Sequence, residues 1–169
     1  MVTNRHEYEV CRDILRQLAR SESLESLRAK KTEKHPFPIG IIVMYRAQKQ
    51  LLENELSRAE WAAPIRDLIK IETVDAYQGQ ENTIIILSLV RNNPEGKQGF
   101  LVEASRINVA LSRAQERLVV IGSKHMWERS NANSSLADVL AFISEKSAAG
   151  NESYEFVDGT TVIEAAKHA

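Results

Sequence analysis

Apolar positions recur at Tyr8, Cys11, Ile14, Leu15 and Leu18 within residues 4–20, the i, i+3, i+4, i+7 spacing of a helix with one buried face. Asn4, followed three residues later by Glu7, forms a capping pair that predicts a helix start near residue 5. Residues 21–38 are polar and charged and close on Pro36 and Pro38, which predicts a surface connection. The pattern then changes. Runs at 39–45, 83–90 and 118–122 are short, apolar and β-branched, without polar alternation. Strands buried on both faces read this way, as in a parallel sheet.

A fourth strand is predicted at 68–73. Between the strands lie helical patterns at 47–59, carried by Leu51, Leu52 and Leu56, and at 103–114, carried by Ile107, Ala110, Leu111 and Ala114. A last amphipathic helix is predicted at 134–146 from Leu136, Val139, Leu140 and Ile143, and the tail 147–169 reads as one more strand at 154–157 and a short helix after Thr161. Alternating strands and helices predict right-handed βαβ units. The expected architecture is α/β, a doubly wound, mostly parallel sheet with helices on both faces. Without an internal repeat or low-complexity tract, residues 1–169 are expected to form one domain.

Composition narrows the function classes. Lys and Arg number 22 against 23 Asp and Glu, a net charge of −1, so a nucleic-acid contact has to be local rather than a bulk basic footprint. No apolar run approaches the ~18 residues of a membrane span, and the first twenty residues are charged throughout. That predicts an intracellular protein, cytoplasmic or, in a eukaryote, nuclear, with no membrane partner. One cysteine and four scattered histidines fit no recognised metal-ligand spacing, so no metal ligands are expected. Cys11 lies on the apolar stripe and reads as a small core residue.

In open parallel sheets ligands sit beyond the carboxyl ends of strands, which singles out three segments. Tyr45-Arg46-Ala47-Gln48-Lys49 follows the first strand, and VDAYQGQE (residues 74–81) follows the fourth predicted strand. NVALSRA (residues 108–114) precedes the last strand. A guanidinium at Arg113 can reach a phosphate with several fixed donors, or it can serve its own helix C-terminus and pair with Glu116. Arg106 lies seven residues earlier, on nearly the same helix face. Tyr45 and Arg46 can stack on a base and contact phosphate, or be a strand-end aromatic beside a solvated charge. Gly79 permits close backbone approach or a positive-φ turn, and Glu81 offers a carboxylate to a ribose.

Read jointly, these phrases resemble motifs IV, V and VI of superfamily 1 helicases. VDAYQGQE followed by IIILSLVRNN, GFL and SRINVALSRAQERLVVIG is similar to the branch of the nonsense-mediated mRNA decay helicase, senataxin-type proteins and their bacterial relatives. That branch commonly reads R-x-N-V-A-L-T-R-A, with Ser112 here in place of Thr. The resemblance covers residues 4–123 and implies a second RecA-like motor domain, of the P-loop NTPase type. It implies Arg113 as the motif VI arginine finger on the γ-phosphate and Glu81 and Gly79 as the motif V residues near ribose or phosphates. Tyr45 matches an aromatic on adenine and Arg46 a catalytic cation, with Lys49 as its substitute. Thr73 and Val74 match positions that touch the single-stranded backbone, and Asn92, Asn93 and Lys97 either add to that grip or form a solvated turn.

No G-x-x-x-x-G-K-[ST] cradle (Walker A) occurs, and no Asp-Glu pair ends a strand, so the groups that hold β- and γ-phosphates and Mg²⁺ are missing. The expectation is a C-terminal motor domain of an ATP-dependent helicase, acting on RNA or DNA single strands. ATP with Mg²⁺ would be held mainly by a first RecA-like domain of the same parent chain. The alternative is a stand-alone RecA-like binding or regulatory module without ATPase activity.

Overall fold

A computed structural model describes residues 2–77, 79–99, 103–129 and 134–168. Gln78 of VDAYQGQE and the Phe100-Leu101 pair of GFL lie outside the described residues. In chain order the elements are α1 (Arg5–Arg20), α2 (Ser23–Ala29), β1 (Ile39–Val43), α3 (Arg46–Arg58), β2 (Ile69–Thr73), β3 (Asn82–Ser88), α4 (Ala104–Leu111), β4 (Ala114–Ile121), α5 (Lys124–Arg129), α6 (Ser135–Ala148) and α7 (Gly159–His168). The four strands form one sheet in the order β2-β1-β3-β4, every pair parallel. The α/β expectation holds, with the sheet parallel throughout.

Strand alternation sends one set of side chains to each face. Ile39, Ile41, Val43, Ile84 and Ile86 join α1 and α3 through Tyr8, Cys11, Leu15, Leu52 and Leu56. Ile42, Met44, Ile85, Leu87 and Leu89 join α4, α5 and α6 through Ile107, Ala110, Met126, Trp127 and Leu136. The direction of winding along the sheet reverses between the central strands: β1 leads through α3 to β2 on one side, whereas β3 leads through α4 to β4 on the other. A crevice therefore opens beyond the carboxyl ends of β1 and β3, the switch point of a doubly wound sheet.

The predicted cap is present, with Asn4 Oδ1 accepting from the Glu7 amide at 3.1 Å and Asn4 Nδ2 donating to Glu7 Oε1 at 3.1 Å. Five expectations are corrected. The connection 21–38 contains α2, which buries Leu27. The helix predicted at 103–114 ends at Leu111, because Ala114 already pairs with Asn82 as the first residue of β4. β4 is thus longer than its apolar run, and its exposed Gln115, Glu116 and Arg117 gave no hydrophobic signal. It is also an edge strand, half-buried rather than enclosed. No strand forms at 154–157; instead Tyr154 packs edge-on against Phe142 at 5.5 Å, and α7 lays Val162 and Ile163 on the first core.

A polar knot ties α1 to the sheet beside the crevice. Glu7 is 3% exposed, and its Oε2 accepts from the Ser88 hydroxyl at 2.7 Å and the Val90 amide at 2.8 Å. Gln48, fully buried, pairs both ways with the Asn4 main chain at 2.8 and 3.0 Å. Burial pushes the Glu7 carboxyl up to about 7 against the opposing pull of its Ser88, Val90 and Leu89 hydrogen bonds. A carboxyl whose folded pKa lies above its unfolded value stabilises the fold fully below about pH 4 to 5, and that contribution is lost as pH rises through about 7. At ~1.4 kcal/mol per tenfold change the loss is about 3 kcal/mol. Unfolding free energy measured from pH 5 to pH 8 should fall by that order, and Glu7→Gln should remove the slope; a slope that survives the substitution contradicts the assignment to Glu7.

Candidate functional site at the two ends of the sheet

The sequence-selected residues fall into two groups at opposite ends of the strands. β3 runs seven residues from Asn82 to Ser88, about 20 Å at ~3.3 Å per residue. Gly79, Glu81 and Arg113 lie at the amino-terminal end, where the Asn82 amide donates to the Arg113 carbonyl at 3.0 Å. Tyr45, Arg46 and Lys49 follow β1 and therefore lie at the carboxyl-terminal end, with Thr73, Val74 and the loop 91–99. Arg46 and Arg113 do not share a pocket. The reason is topological: Arg113 enters a strand, whereas Tyr45 leaves one.

At the amino-terminal end, Arg113 stands in the turn after α4 rather than closing it. Its Nε donates to the Val109 carbonyl at 3.1 Å and its Nη2 to the Ser112 hydroxyl at 3.0 Å. Among the described residues no carboxylate pairs with it, and Glu116 is engaged by Lys30 instead. The guanidinium is held on its helix-facing edge by neutral acceptors, which keeps its full charge for an external anion. Glu81 is exposed, and Gly79 adopts φ +74° with open space where a Cβ would stand. Beside Glu81 a shallow groove of about 230 Å³ runs past His35, Phe37, Asn82 and Gln115. A larger concavity of about 340 Å³, lined by Arg16, Gln17 and Arg20, includes none of the selected residues in its lining.

The segment 74–81 carries Gly79 and Glu81 from one end of the sheet to the other, and Tyr77 locks it. The buried Tyr77 hydroxyl donates to Asn82 Oδ1 at 2.7 Å, and Asn82 Nδ2 in turn donates to the Phe37 carbonyl. Burial, then the nearby Glu72 charge, pushes the phenol well above its usual range, so it stays a donor. Tyr77 sits over Gly40, where a Cβ would meet its hydroxyl at 2.0 Å. Sequence reasoning missed both residues; the one available signal was a glycine inside an otherwise β-branched run.

At the carboxyl-terminal end, Lys49 is committed. Its Nζ donates to both Glu72 oxygens at 2.8 and 2.7 Å and lies 3.7 Å from Glu53, and the Glu72 hydrogen bond raises its pKa first among several causes. Burial opposes ionisation of Glu72, but Lys49 and the Thr73 amide outweigh it and the net shift is downward. Arg46, exposed in the first turn of α3, makes no ion pair among the described residues. Val74 is 3% exposed, so only its main chain can meet a ligand. Asp75 and Glu103 are both drawn to Arg106, at 2.7 and 2.8 Å, which takes Arg106 out of the Arg113 face. Asn93 closes the loop onto Lys97 through Oδ1 to the Lys97 amide at 2.8 Å and Nδ2 to its carbonyl at 2.9 Å, leaving Asn92 and Lys97 exposed. Among the described residues no helix is long and apolar enough to cross a membrane.

An all-parallel four-stranded sheet with helices on both faces is a RecA-like α/β architecture. The family model described as AAA domain matches residues 1–125, and the chain belongs to that family, as the second RecA-like, C-terminal region of the superfamily 1 helicase type. It is 43% identical over 96 residues to the "Helicase required for RNAi-mediated heterochromatin assembly 1" of Schizosaccharomyces pombe, covering 57% of this chain and 9% of that protein. It is 39% identical over 112 residues to the "DNA polymerase alpha-associated DNA helicase A" of Saccharomyces cerevisiae, covering 64% and 15%. Against the "DNA replication ATP-dependent helicase/nuclease DNA2" of Xenopus laevis it is 40% identical over 88 residues, covering 52% and 8%. The chain thus spans at most 15% of the length of these three relatives. It is a helicase-associated domain.

Proposed function

We propose that the two ends of the sheet serve two ligands of one motor. The amino-terminal end, with Arg113, Glu81 and Gly79, forms one wall of an ATP site whose phosphate cradle and Mg²⁺ ligands belong to a first RecA-like domain of the parent protein. The observation that carries this reading is the Arg113 guanidinium, anchored by Val109 and Ser112 with no carboxylate partner among the described residues. A bound nucleotide would supply the γ-phosphate whose developing charge such a cation stabilises. These residues fit a wall and not a container, since the chain has no glycine-rich loop ending in Lys-Ser or Lys-Thr.

The carboxyl-terminal end then faces a single strand of RNA or DNA. Arg46 and Lys97 supply phosphate contacts, Asn92 and the Thr73-Val74 main chain supply polar ones, and Tyr45 supplies a ring for stacking. On this reading Tyr45 and Arg46 serve the strand, where the family resemblance alone would put them with the nucleotide. Closure of the two motor domains on ATP and reopening after hydrolysis would move the strand-bearing edge.

In the full-length protein, Arg46→Ala should raise the strand concentration for half-maximal stimulation of ATP turnover about tenfold and leave turnover at saturating strand within about twofold. Lys49→Ala should do neither, since Lys49 is spent on Glu72. Loss of saturating turnover in Arg46→Ala, with strand dependence intact, would return Arg46 to the nucleotide and overturn the division.

A further inference from the structure

The polar knot at the start of α1 holds more than a helix end. Two residues beyond β3, Val90 has φ +67°, a left-handed conformation that a β-branched residue adopts only at a cost. The Arg91 amide donates to the Leu89 carbonyl at 2.7 Å across it, the three-residue turn of the rarer, strained hand. The turn is fastened from outside. Glu7 Oε2 accepts from the Val90 amide at 2.8 Å and from the Ser88 hydroxyl at 2.7 Å, and Asn4 Nδ2 donates to the Val90 carbonyl at 3.2 Å. Beyond Val90 runs the loop 91–99. Its first residue reaches back to β1, with Arg91 Nε donating to the Tyr45 hydroxyl at 2.6 Å, and Gly99 (φ +60°) closes over that bond. The same knot grips α3 through Gln48, which pairs with the Asn4 main chain two residues past Arg46. One helix start thus sets the placement of both segments assigned to the strand. Strain held by so many bonds, beside the switch point of the sheet, stands where geometry matters to a ligand.

We infer that Glu7 is a positioning residue for the strand-binding edge: through the Val90 main chain it keeps the turn left-handed and so aims loop 91–99 at a single strand of nucleic acid. This rests on the strand-side reading above. Glu7 itself touches no ligand. Released from it, Val90 relaxes toward negative φ, and the exposed Asn92 and Lys97 leave the direction in which they meet the strand. The population at stake is about tenfold, the order of the left-handed penalty for such a residue. A glycine at position 90 separates this role from a general loss of stability, because it takes positive φ without that penalty.

The test is strand-stimulated ATP turnover of the full-length protein, titrated with oligothymidylate and with oligouridylate. Glu7→Leu removes the acceptor at similar volume. It should raise the strand concentration for half-maximal stimulation about tenfold and leave turnover at saturating strand within about twofold. Adding Val90→Gly should bring that concentration back to within about threefold of wild type, although it restores no hydrogen bond. A glutamate that served stability alone would gain nothing from the glycine, which only removes more buried side chain. Asn4→Ser keeps a capping oxygen for α1 and loses the donor to the Val90 carbonyl; it is the milder variant and should raise the same concentration about threefold, whether or not Glu7→Leu folds. Unchanged strand dependence in Asn4→Ser or in folded Glu7→Leu, or no recovery with Val90→Gly, overturns the positioning role. If Arg46→Ala weakens strand dependence and these two variants do not, only this inference falls; if none of the three does, or the wild type ignores both strands, the strand-side reading falls with it.

Discussion

Arg113→Ala in the full-length protein is expected to lower ATP turnover about a thousandfold or more, while nucleotide affinity stays within about threefold. The asymmetry follows from where the charge stands. An arginine that meets the γ-phosphate only as its bonds reorganise stabilises the transition state more than the ground state, and fingers of this kind contribute ~10³ to 10⁵ in rate. The anchoring matters as much as the charge. Val109 and Ser112 hold one edge of the guanidinium at 3.1 and 3.0 Å, so little ordering remains to be done when the domains close. Arg113→Lys keeps the charge but loses both anchors and the planar fork, and should recover no more than about a tenth of wild-type turnover. Single-turnover hydrolysis beside equilibrium nucleotide binding measures both quantities. Turnover within twofold of wild type in Arg113→Ala would remove the finger.

Gly40→Ala is expected to destabilise the domain by about 3 kcal/mol, at the upper end for overpacking a core. The added Cβ would stand 2.0 Å from the Tyr77 hydroxyl, 2.6 Å from Ile85 Cδ1 and 2.9 Å from Asn82 Oδ1, inside a central strand buried along its whole length. Neither neighbour can yield cheaply. Tyr77 is fastened to Asn82, and Ile85 belongs to the other central strand. Because the nearest clash is with a single oxygen, Tyr77→Phe in the same chain should recover part of the loss, giving a coupling of about 1 kcal/mol in a double-mutant cycle. Urea unfolding of the four proteins supplies it. A Gly40→Ala protein as stable as wild type would show that Tyr77 does not occupy the notch. The consequence for function is direct, since Tyr77 fixes the loop that presents Gly79 and Glu81.

Where local pattern and tertiary environment agreed, the sequence was legible. β1 and β3 were plain because both faces of both strands are buried and their apolar runs are unbroken. The α1 cap was legible because Asn4 and Glu7 bond each other directly. β4 was read too short, since an edge strand with exposed Gln115, Glu116 and Arg117 carries its pairing in the main chain, which side-chain periodicity does not report. The segment at 154–157 shows the converse: Tyr154, Phe156 and Val157 have the composition of a strand, yet among the described residues no strand edge pairs with them.

The candidate site divides in the same way. Residues that chemistry selects by type, such as Arg113, Arg46 and Tyr45, stood out, but the end of the sheet that each occupies follows from chain direction and strand order. The rule that ligands gather at carboxyl ends was applied to all three segments, but it describes only the position of Tyr45 and Arg46, since Arg113 enters a strand instead of leaving one. The contacts of Arg91 and Gln48 were invisible because their partners lie 46 and 44 residues away and only the fold brings them together. The pairing of Lys49 with Glu72 on a neighbouring strand was hidden for the same reason.

The central claim is that this chain supplies the catalytic arginine of an ATP site without the cradle that holds the phosphates. It is tested most directly by steady-state ATP hydrolysis, measured side by side for this chain alone and for the full-length protein, each with and without a single-stranded oligonucleotide. The account predicts turnover by the full-length protein that rises with the strand, and none by this chain under either condition. Hydrolysis by this chain alone at a comparable rate, or a full-length protein indifferent to the strand, would contradict it.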